Sequence, residues 1–407
     1  MTVTIVTIFV IVYVGMILGG LPFVQLDRTG IALLGAIAIV GLEILTPEQA
    51  ARAIHLPTLL LLFSFMVISA QMRLGGFYAW VTQRIASLPV PPAALLAAVI
   101  AVVAVLSAVF SNDVVCLAVA PVLIDGCRRR GLDPVPYLLG LACAANVGSA
   151  ATVIGNPQNM LIGQVLELRF ADYLAVAAVP VLLGLAATWL LLAWQGAGRW
   201  QAALPANAPE RRVDEPALDR WQTTKGLLVV AILLAIFVAT QWPREVAALI
   251  AAGLLLTSRK FHSTKMLGLI DWELLILFIG LFVVNHALER SGVTQQAFGH
   301  LTALGLSMRD PATLFLTTFV LSNLVSNVPA VMLLLPAATE PFSGPMLALV
   351  STLAGNLLIV GSIANMIVVA AAARQGIRID WKRHARAGIP VTLVTLAIVG
   401  GWFAAAP

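Results

Sequence analysis

The sequence predicts an all-α membrane protein that crosses the bilayer about ten times, and three observations support this fold class. Of its 407 residues, 60% are hydrophobic and only 11% are charged, whereas a soluble domain is about 45–50% apolar and about 25% charged. The apolar runs are continuous, whereas strands of a membrane β-barrel alternate apolar and polar residues over about ten positions. The chain also has room for roughly ten spans of about 20 residues each. Too little polar surface is present to face water, which excludes a soluble enzyme, a disordered protein and a nucleic-acid-binding protein.

Ten apolar runs are predicted to form the spans. They lie near residues 3–24, 30–45, 57–72, 134–165, 173–196, 226–241, 245–257, 268–288, 345–373 and 388–405. Two further apolar stretches, 92–127 and 311–340, are each too long for one span and carry a polar cluster at the middle. Each stretch forms either two through-spans or a re-entrant hairpin that enters and leaves on the same side. Only the first arrangement reverses the orientation of every later span.

The distribution of basic residues favours the hairpins. With hairpins, most of the 24 Lys and Arg residues fall on one side of the membrane. The basic residues on the other side are Arg52, Arg169, Arg244, Arg290 and Arg309. Because cytoplasmic loops carry an excess of Lys and Arg, the basic side is predicted to be cytoplasmic. We therefore expect a multi-pass protein of a bacterial inner membrane, in contact with membrane lipid, with both termini outside the cytoplasm.

A Pro-rich segment of mixed charge, 196–225, is predicted to be a cytoplasmic linker between two repeats, 1–195 and 226–407. Ser111, Asn112 and Pro121 recur at a constant spacing as Ser326, Asn327 and Pro336, and Gly155 to Met160 correspond to Gly361 to Met366. With hairpins, the first repeat enters from the cytoplasm and the second from outside, so the repeats are inverted. Each is predicted to contain one hairpin, at 92–127 or 311–340, and one broken helix, at 134–165 or 345–373. Inverted repeats with interrupted helices are typical of secondary transporters, whose site lies near the midplane.

The tip of the first hairpin reads Ser111-Asn112-Asp113. Ser and Asn favour helix caps and turns, and a tip inside the membrane needs such groups for structure alone. Asp113 is harder to explain by capping, because an intramembrane carboxylate costs about 2.5–3.5 kcal/mol on insertion scales and usually marks an ion or proton path. We therefore predict that Asp113 couples transport to protons.

The first broken helix contains Gly155-Asn156-Pro157, followed by Gln158 and Asn159. Proline removes a helix hydrogen bond and disfavours helix at the residue before it, so the helix is predicted to unwind here. Unwinding exposes carbonyl groups and a half-helix N-terminus, which suit cations and anions respectively. Thr152 in the same element is a further candidate ligand.

The second repeat contributes amides and hydroxyls but no carboxylate. Its hairpin tip is Ser326-Asn327-Val328, and its broken helix contains Gly361 and Asn365. Val328 stands where the first tip has Asp113. The predicted site is therefore asymmetric, with one titratable group facing a neutral polar wall, which indicates a single proton or cation coupled to a small polar solute.

Motifs for other chemistry are absent from the sequence. It contains no GxxxxGK[ST] phosphate loop and no HExxH zinc motif. The three cysteines, Cys116, Cys127 and Cys143, show no metal-ligand spacing. We therefore predict no catalytic residue, no metal site and no cofactor apart from the coupling ion, which is a proton or sodium.

These motifs resemble those of the ion transporter superfamily, in particular the branch of arsenite efflux permeases (ArsB) and NhaD-like proteins. The resemblance covers nearly the whole chain and is carried by Leu26–Gly30, Ser111–Asp113, Ser149–Asn159 and Ser326–Pro329. The form Gly-Asn-Pro-Gln-Asn looks especially like plant silicon and arsenite efflux transporters. Related divalent-anion/sodium symporters carry Ser-Asn-Thr at both tips, a pattern from which this sequence departs at both third positions.

The resemblance implies ten spans with two opposed hairpins, alternating access, and a homodimer. It also implies that the tips and the unwound helices form the site. The residues carried over in this way are Ser111, Asn112, Asp113, Gly155, Asn156, Asn159, Ser326, Asn327, Gly361 and Asn365.

The sequence leaves three functional hypotheses. The first is a proton-coupled antiporter that exports a small metalloid hydroxide such as arsenite or silicic acid. The second is a sodium-coupled transporter of small anions or dicarboxylates, or a sodium/proton antiporter. The third is a channel or the membrane module of a pump, with a soluble ATPase docked on the basic loops 128–130 and 374–386, although these loops are more simply explained as topology determinants.

Overall fold

The computed structural model describes residues 1–20, 25–201 and 216–405. Within these ranges the secondary structure is helical, and the one β-type pairing is an isolated antiparallel bridge between Leu132 and Gln201. Six of the described helices are long and apolar enough to cross a membrane. They are Leu56–Leu74, Pro92–Val109, Phe170–Gly196, Arg220–Ala239, Trp272–Arg290 and Trp381–Ala405. The predicted all-α fold class is confirmed.

Ten helices lie in the described part of the first repeat. They are α1 Thr2–Leu18, α2 Arg28–Gly41, α3 Pro47–Ala53, α4 Leu56–Leu74, α5 Phe77–Ala86, α6 Pro92–Val109, α7 Asn112–Arg129, α8 Pro134–Ser149, α9 Pro157–Val165 and α10 Phe170–Gly196. Many begin with proline in the first turn, where a missing N–H removes no helical hydrogen bond. Others are capped by side chains, as where Asp27 accepts a hydrogen bond from the Gly30 N–H.

The described part of the second repeat has the same order of ten α-helices. They are α11 Arg220–Ala239, α12 Arg244–Leu256, α13 Ser263–Leu267, α14 Trp272–Arg290, α15 Val293–Ala303, α16 Pro311–Val325, α17 Asn327–Leu334, α18 Ser343–Ala354, α19 Ile363–Arg374 and α20 Trp381–Ala405. Short 3-10 turns lie at Leu335–Ala337 and Ile359–Gly361. Each helix therefore has a counterpart at the corresponding position in the first repeat, and the largest difference in length is between α17, with 8 residues, and α7, with 18.

Some helix boundaries differ from the predicted ones. Helix α11 begins at Arg220 rather than 226, because the Asp219 carboxylate caps it by accepting from the Gln222 N–H at 3.0 Å. Helix α20 begins at Trp381 rather than 388, since long basic side chains in its first turns can keep their charges in water. The end of the predicted span 3–24 and residues 202–215 of the predicted linker 196–225 lie outside the described residues.

The stretch 92–127 folds into a helical hairpin, α6 and α7, with a break at residues 110–111. Arg130, just after α7, donates from its guanidinium to the carbonyls of Ala86, Leu88 and Val90 at 3.2, 2.9 and 2.7 Å. These carbonyls lie just before α6. The open ends of the two helices are therefore held together opposite the break.

The stretch 311–340 folds in a corresponding way into α16 and α17, with a break at Ser326. Here Arg309, before α16, forms an ion pair at 4.0 Å with Glu340, which lies beyond the 3-10 turn after α17. Both stretches thus form two helices joined at a break, each held at its open end by an arginine. That they enter and leave the membrane on the same side stays a prediction.

Corresponding helices of the two repeats exchange their packing partners. Helix α2 packs against α14 as α12 packs against α4, and α7 packs against α19 as α17 packs against α9. The last helices, α10 and α20, pack against each other. Small residues permit close approach, since a Cβ at Gly280 would lie 2.6 Å from the Ala32 carbonyl carbon across the α2–α14 contact. The repeats are therefore interlocked, and both hairpin tips reach the same central region.

Candidate functional site

Four helix N-termini converge on one small cavity. Helices α7 and α17 bring the hairpin tips to it, and α9 and α19 bring the second halves of the broken helices. The lining residues are Asn112, Asp113, Pro157, Gln158, Ser326, Asn327, Val328, Gly361, Ser362 and Ile363. Each helix N-terminus carries unpaired N–H groups and a partial positive charge, so the cavity wall is rich in donors.

The cavity has a volume of about 30 Å³. This is space for one or two water-sized molecules, given that one such molecule needs about 10–15 Å³ on this measure. A larger solute therefore requires the two tips to separate from the broken helices.

The tips differ at their third residue. Asp113 lies in the first turn of α7 and lines the cavity, and Val328 lines it from the first turn of α17. Among the described lining residues Asp113 carries the one ionisable side chain, and none is Lys, Arg or His. The predicted asymmetry of one titratable group facing a neutral wall is therefore present in the geometry.

The backbone of the tips differs as well. Ser111 precedes α7 with φ −56° and ψ 127°, which any residue adopts easily. Ser326 precedes α17 with φ 76° and ψ 161°, a region that is almost restricted to glycine. Neither serine caps its helix through the side chain. The first N–H groups of α7 and α17 are therefore left to other partners, and the Asn112 N–H donates to the Gly155 carbonyl at 3.1 Å.

The two broken helices share one hydrogen bond at corresponding positions. In the first, the Asn159 Nδ2 donates to the Thr152 carbonyl at 3.1 Å. In the second, the Asn365 Nδ2 donates to the Leu358 carbonyl at 3.0 Å. Both amides thus reach back over the unwound segment and satisfy a carbonyl that the break leaves free. Each break is therefore a defined conformation held by a side-chain hydrogen bond, and not a simple proline kink.

Both breaks contain a glycine where the chain folds back on itself, and the first of the two leaves no room for a side chain. A Cβ at Gly155 would collide with the backbone of Ser149. A Cβ at Gly361 would lie 3.2 Å from the Gly355 carbonyl oxygen, which is tighter than ordinary contact. The first break is therefore the more tightly folded of the two.

A set of cross-repeat hydrogen bonds, which we call the clasp, joins the broken helices. Asn146, near the end of α8, reaches the second repeat. Its Nδ2 donates to the Asn356 Oδ1 at 2.8 Å and to the Asn365 Oδ1 at 3.2 Å, and its Oδ1 accepts from the Ser362 hydroxyl at 2.9 Å. Asn146 is 1% exposed, so each of these bonds is made away from water.

Thr352, near the end of α18, makes the reciprocal half of the clasp. Its hydroxyl donates to the Asn159 Oδ1 at 3.2 Å and accepts from the amides of Asn156 and Gln158, both at 3.2 Å. Thr352 and Asn146 occupy corresponding positions of the two repeats. Each therefore bonds to the N-cap residue of the opposite broken helix and to the Asn three residues after it. These are Ser362 and Asn365 for Asn146, and Asn156 and Asn159 for Thr352.

The clasp determines how the amide of Asn112 is oriented. The Asn365 Nδ2 donates to the carbonyls of Gly355 and Leu358 at 2.8 and 3.0 Å, so its Oδ1 faces Asn146 as an acceptor. Asn146 must then present Nδ2 to Asn365 and Oδ1 to the other side. The Asn112 Nδ2 donates to that oxygen at 3.3 Å, which leaves the Asn112 Oδ1 buried and without a hydrogen-bond partner among the described residues.

Two amide oxygens at the cavity are buried without a hydrogen-bond partner in the described part of the chain. They belong to Asn112 and Asn327, one from each tip. A buried polar atom without a partner is destabilising by about 1–3 kcal/mol and calls for an explanation. A solute with O–H donors, or a cation, would satisfy both oxygens.

The structure divides the predicted site residues into two groups. Those that line the cavity are Asn112, Asp113, Ser326, Asn327 and Gly361. Those that lie behind it and hold the backbone are Ser111, Thr152, Gly155, Asn156, Asn159 and Asn365. Thr152 bonds the Ala108 carbonyl near the end of α6, and Asn156 caps α9 by accepting from the Asn159 N–H at 2.9 Å. The assignment of solute and proton binding to the first group stays a prediction.

Sequence reasoning did not assign Asn146, Thr352 or Ser362 to the site. A signal for them was present, because aligning Gly155 with Gly361 also aligns Asn146 with Thr352 and Asn156 with Ser362. The polar residues in helix interiors thus mark the contact between the repeats. The three cysteines are buried and free, and the cavity lining includes none of them. No cluster of His, Cys, Asp or Glu that could hold a metal occurs among the described residues.

Comparison with known proteins gives a family. The profile of the citrate transporter family CitMHS matches residues 11–354. A solved structure, that of the Alcanivorax borkumensis YdaH transporter, superposes with a TM-score of 0.58 over 99% of this chain and 98% of that one, at 14% identity. This similarity shows the fold.

Three curated relatives match over nearly their whole length. The 46 kDa membrane protein of Mycobacterium leprae is 27% identical over 98% of this chain and 97% of its own. The silicon efflux transporter LSI3 of Oryza sativa subsp. japonica is 26% identical over 93% and 92%. The putative transporter arsB of Dictyostelium discoideum is 22% identical over 92% and 86%. These matches confirm the resemblance to the ion transporter superfamily.

Proposed function

Because the chain belongs to the citrate transporter family, and is thus a multi-pass membrane transporter and not an enzyme, we propose that it exports a small metalloid hydroxide, such as arsenite or silicic acid, in exchange for protons. The transport is secondary and proceeds by alternating access. The solute occupies the cavity between the hairpin tips and the broken helices, and Asp113 carries the proton.

The observation that carries this proposal is the chemistry of the cavity lining. Asn112 and Asn327 each have an amide oxygen without a partner in the described part of the chain, and Asp113 adds a carboxyl group that can accept hydrogen bonds. The Ser326 hydroxyl and free N–H groups at the helix N-termini can donate. A neutral hydroxide of arsenic or silicon both donates and accepts at every oxygen. A bare carboxylate solute can only accept, and it finds no cationic side chain among the described lining residues.

Asp113 supplies the coupling because the solute and a proton compete for the same carboxylate. When the cavity faces the cytoplasm, ionised Asp113 accepts a hydrogen bond from a solute hydroxyl. When it faces outward, a proton binds Asp113 and weakens that bond, so the solute leaves. The cavity then returns with the proton, which is released inside.

The relatives support the solute class. One is named a silicon efflux transporter and another a putative transporter arsB, and the first name states export of a silicon compound. We further place the protein in a bacterial inner membrane, with the termini outside and the linker 196–225 in the cytoplasm, as the arginine distribution favours.

The alternative is a sodium-coupled transporter of small anions, and the name of the matching family favours it. Helix N-termini attract anions, and amide and carbonyl oxygens at unwound helices bind sodium in other transporters. This alternative assigns the two unpaired oxygens to a cation instead of solute hydroxyls.

A transport assay in proteoliposomes separates the two. Purified protein is tested for movement of arsenite, silicic acid and citrate under an imposed pH gradient, with and without sodium, and with a protonophore as control. We expect gradient-driven uphill movement of arsenite or silicic acid that needs neither sodium nor ATP and stops with the protonophore. Sodium-dependent citrate movement with no metalloid transport would overturn the proposal, and a requirement for ATP would indicate a pump.

A further inference from the structure

A basic pocket of about 710 Å³ lies where the two repeats meet at their last helices. It is formed by the start of α8, the end of α10 and the start of α20. Its polar lining consists of Asp133, Gln195, Arg199, Arg383 and Arg386. We call it the Arg199 pocket. It lies at the C-terminal end of α10 and the N-terminal end of α20, on the side of the membrane that the basic loops predict to be cytoplasmic.

The charges in this pocket do not balance. Asp133 is paired with Arg383 at 3.8 Å and also caps α8 by accepting from the Val135 N–H at 3.0 Å. Arg199 and Arg386 form no ion pair within the described part of the chain. Among the described lining residues, one carboxylate thus stands against three guanidinium groups, a formal net charge of +2.

The surroundings of the pocket are those of a membrane interface. Trp194 lines it and is 77% exposed, and tryptophan concentrates at the level of lipid headgroups. Leu190 on α10 and Leu393 on α20 are 58% and 57% exposed and continue the apolar surface along the helices. A bound molecule can therefore place an anionic group on the arginines and an apolar chain along the helices.

Two other surface pockets contain arginines, but these arginines are balanced by carboxylates or engaged in other contacts. At the opposite end of α10, a pocket of about 440 Å³ contains Arg169 and Arg244 together with Glu167 and Glu245, so its charges balance. We call it the Glu167 pocket. The pocket between α5 and α7 has the same formal excess, with Arg84, Arg129 and Arg130 against Asp125. Its arginines are already engaged, however, because Arg130 is bound to three carbonyls, Arg129 is paired with Asp125 at 2.8 Å and Arg84 lies over the Trp80 ring.

We propose that the Arg199 pocket binds the phosphate headgroup of an anionic phospholipid from the cytoplasmic leaflet. Arg199 comes after α10 of the first repeat, whereas Arg383 and Arg386 belong to α20 of the second. The headgroup thus bridges the repeats at a place where the protein itself has few polar links, such as the hydrogen bond at 2.8 Å from the Gln195 Nε2 to the Arg386 carbonyl. Binding stabilises the contact between α10 and α20, whichever solute is transported.

The test uses the full-length purified protein, stripped of lipid in a neutral detergent. Binding of phosphatidylglycerol and of phosphatidylcholine is measured by native mass spectrometry, together with the thermal midpoint. The wild type should bind phosphatidylglycerol about tenfold more tightly than phosphatidylcholine, since each juxtamembrane arginine contributes about 1 kcal/mol with an anionic lipid. The double variant Arg199→Gln/Arg386→Gln should lose this preference and the accompanying rise in the midpoint.

The matched control is Arg169→Gln in the Glu167 pocket, which should bind phosphatidylglycerol like the wild type. A second variant, Arg199→Lys/Arg386→Lys, keeps the charge and should keep most of the preference, so a folding defect cannot be mistaken for loss of the site. Unchanged phosphatidylglycerol binding in the double Gln variant would overturn the proposal. So would inorganic phosphate that raises the midpoint as much as the lipid, because the pocket would then be a site for free anions.

Discussion

The two hairpin tips begin with the same Ser-Asn pair but differ in their third residue and in their backbone. The first tip continues with Asp113 and enters α7 through an ordinary conformation at Ser111. The second continues with Val328 and enters α17 through Ser326 at φ 76°. The first tip therefore supplies the ionisable group of the cavity, and the second supplies Val328, which does not titrate, on a conformationally constrained turn.

Neutralising the carboxylate gives the largest effect. We expect Asp113→Asn to reduce solute accumulation driven by a pH gradient at least about tenfold, because a neutral amide cannot exchange a proton. Exchange of solute without a gradient should persist, since Asn keeps a hydrogen-bonding side chain. The measurement is uptake into proteoliposomes with and without an imposed gradient.

The matched variant on the other tip is Val328→Asn, which introduces the same side chain at the corresponding position. It should leave gradient-driven transport measurable because Asp113 is intact. Equal loss in both variants would mean that the tips tolerate no amide at this position, and normal gradient-driven transport by Asp113→Asn would contradict the coupling role.

The two halves of the clasp should contribute unequally to stability. Asn146→Ala leaves the Asn112 amide, the Ser362 hydroxyl and two amide oxygens without their partner. Thr352→Val keeps the shape of the side chain but removes its hydroxyl. The amides of Asn156 and Gln158 then lose an acceptor, and the Asn159 Oδ1 loses a donor. Hydrogen bonds between membrane helices average about 0.6 kcal/mol, and unpaired buried groups are destabilising. We therefore expect the free energy of unfolding to fall by about 2–3 kcal/mol in Asn146→Ala and by about 1–2 kcal/mol in Thr352→Val.

The measurement is the free energy of unfolding in mixed micelles. Ser69, a buried residue of α4 whose hydroxyl makes no hydrogen bond in the described part of the chain, provides the control variant Ser69→Ala. It should change stability by less than either clasp variant. A larger loss for Thr352→Val than for Asn146→Ala would show that the second repeat holds the contact between the breaks.

The sequence was sufficient to predict the helices and the breaks between them, because composition, proline positions and polar residues at the tips determine local backbone structure. It was also sufficient to single out Asp113, since a carboxylate inside an apolar run is conspicuous. It did not separate the residues that face the cavity from those behind it. Asn112 and Asn159 look alike in the sequence, yet one lines the cavity and the other is used up by Thr152, Tyr173 and Thr352.

That distinction depends on how the two repeats pack together, and no local pattern contains it. Asn146 illustrates the point, because three of its four side-chain partners, Asn356, Ser362 and Asn365, lie in the other repeat. Only the alignment of the two repeats would have given a hint.

The smallest expected effect is at Ser326. Its φ of 76° and ψ of 161° lie in a region that costs a non-glycine residue about 1–3 kcal/mol. We therefore expect Ser326→Gly to raise the free energy of unfolding by about 1 kcal/mol, after the entropic cost of glycine is subtracted. Ser111→Gly should lower it, since Ser111 at φ −56° has no strain to lose. Ser326→Ala removes the hydroxyl but keeps the strain, and it should be no more stable than the wild type. If Ser326→Gly and Ser111→Gly changed stability in the same direction by the same amount, the backbone difference between the tips would have no energetic meaning.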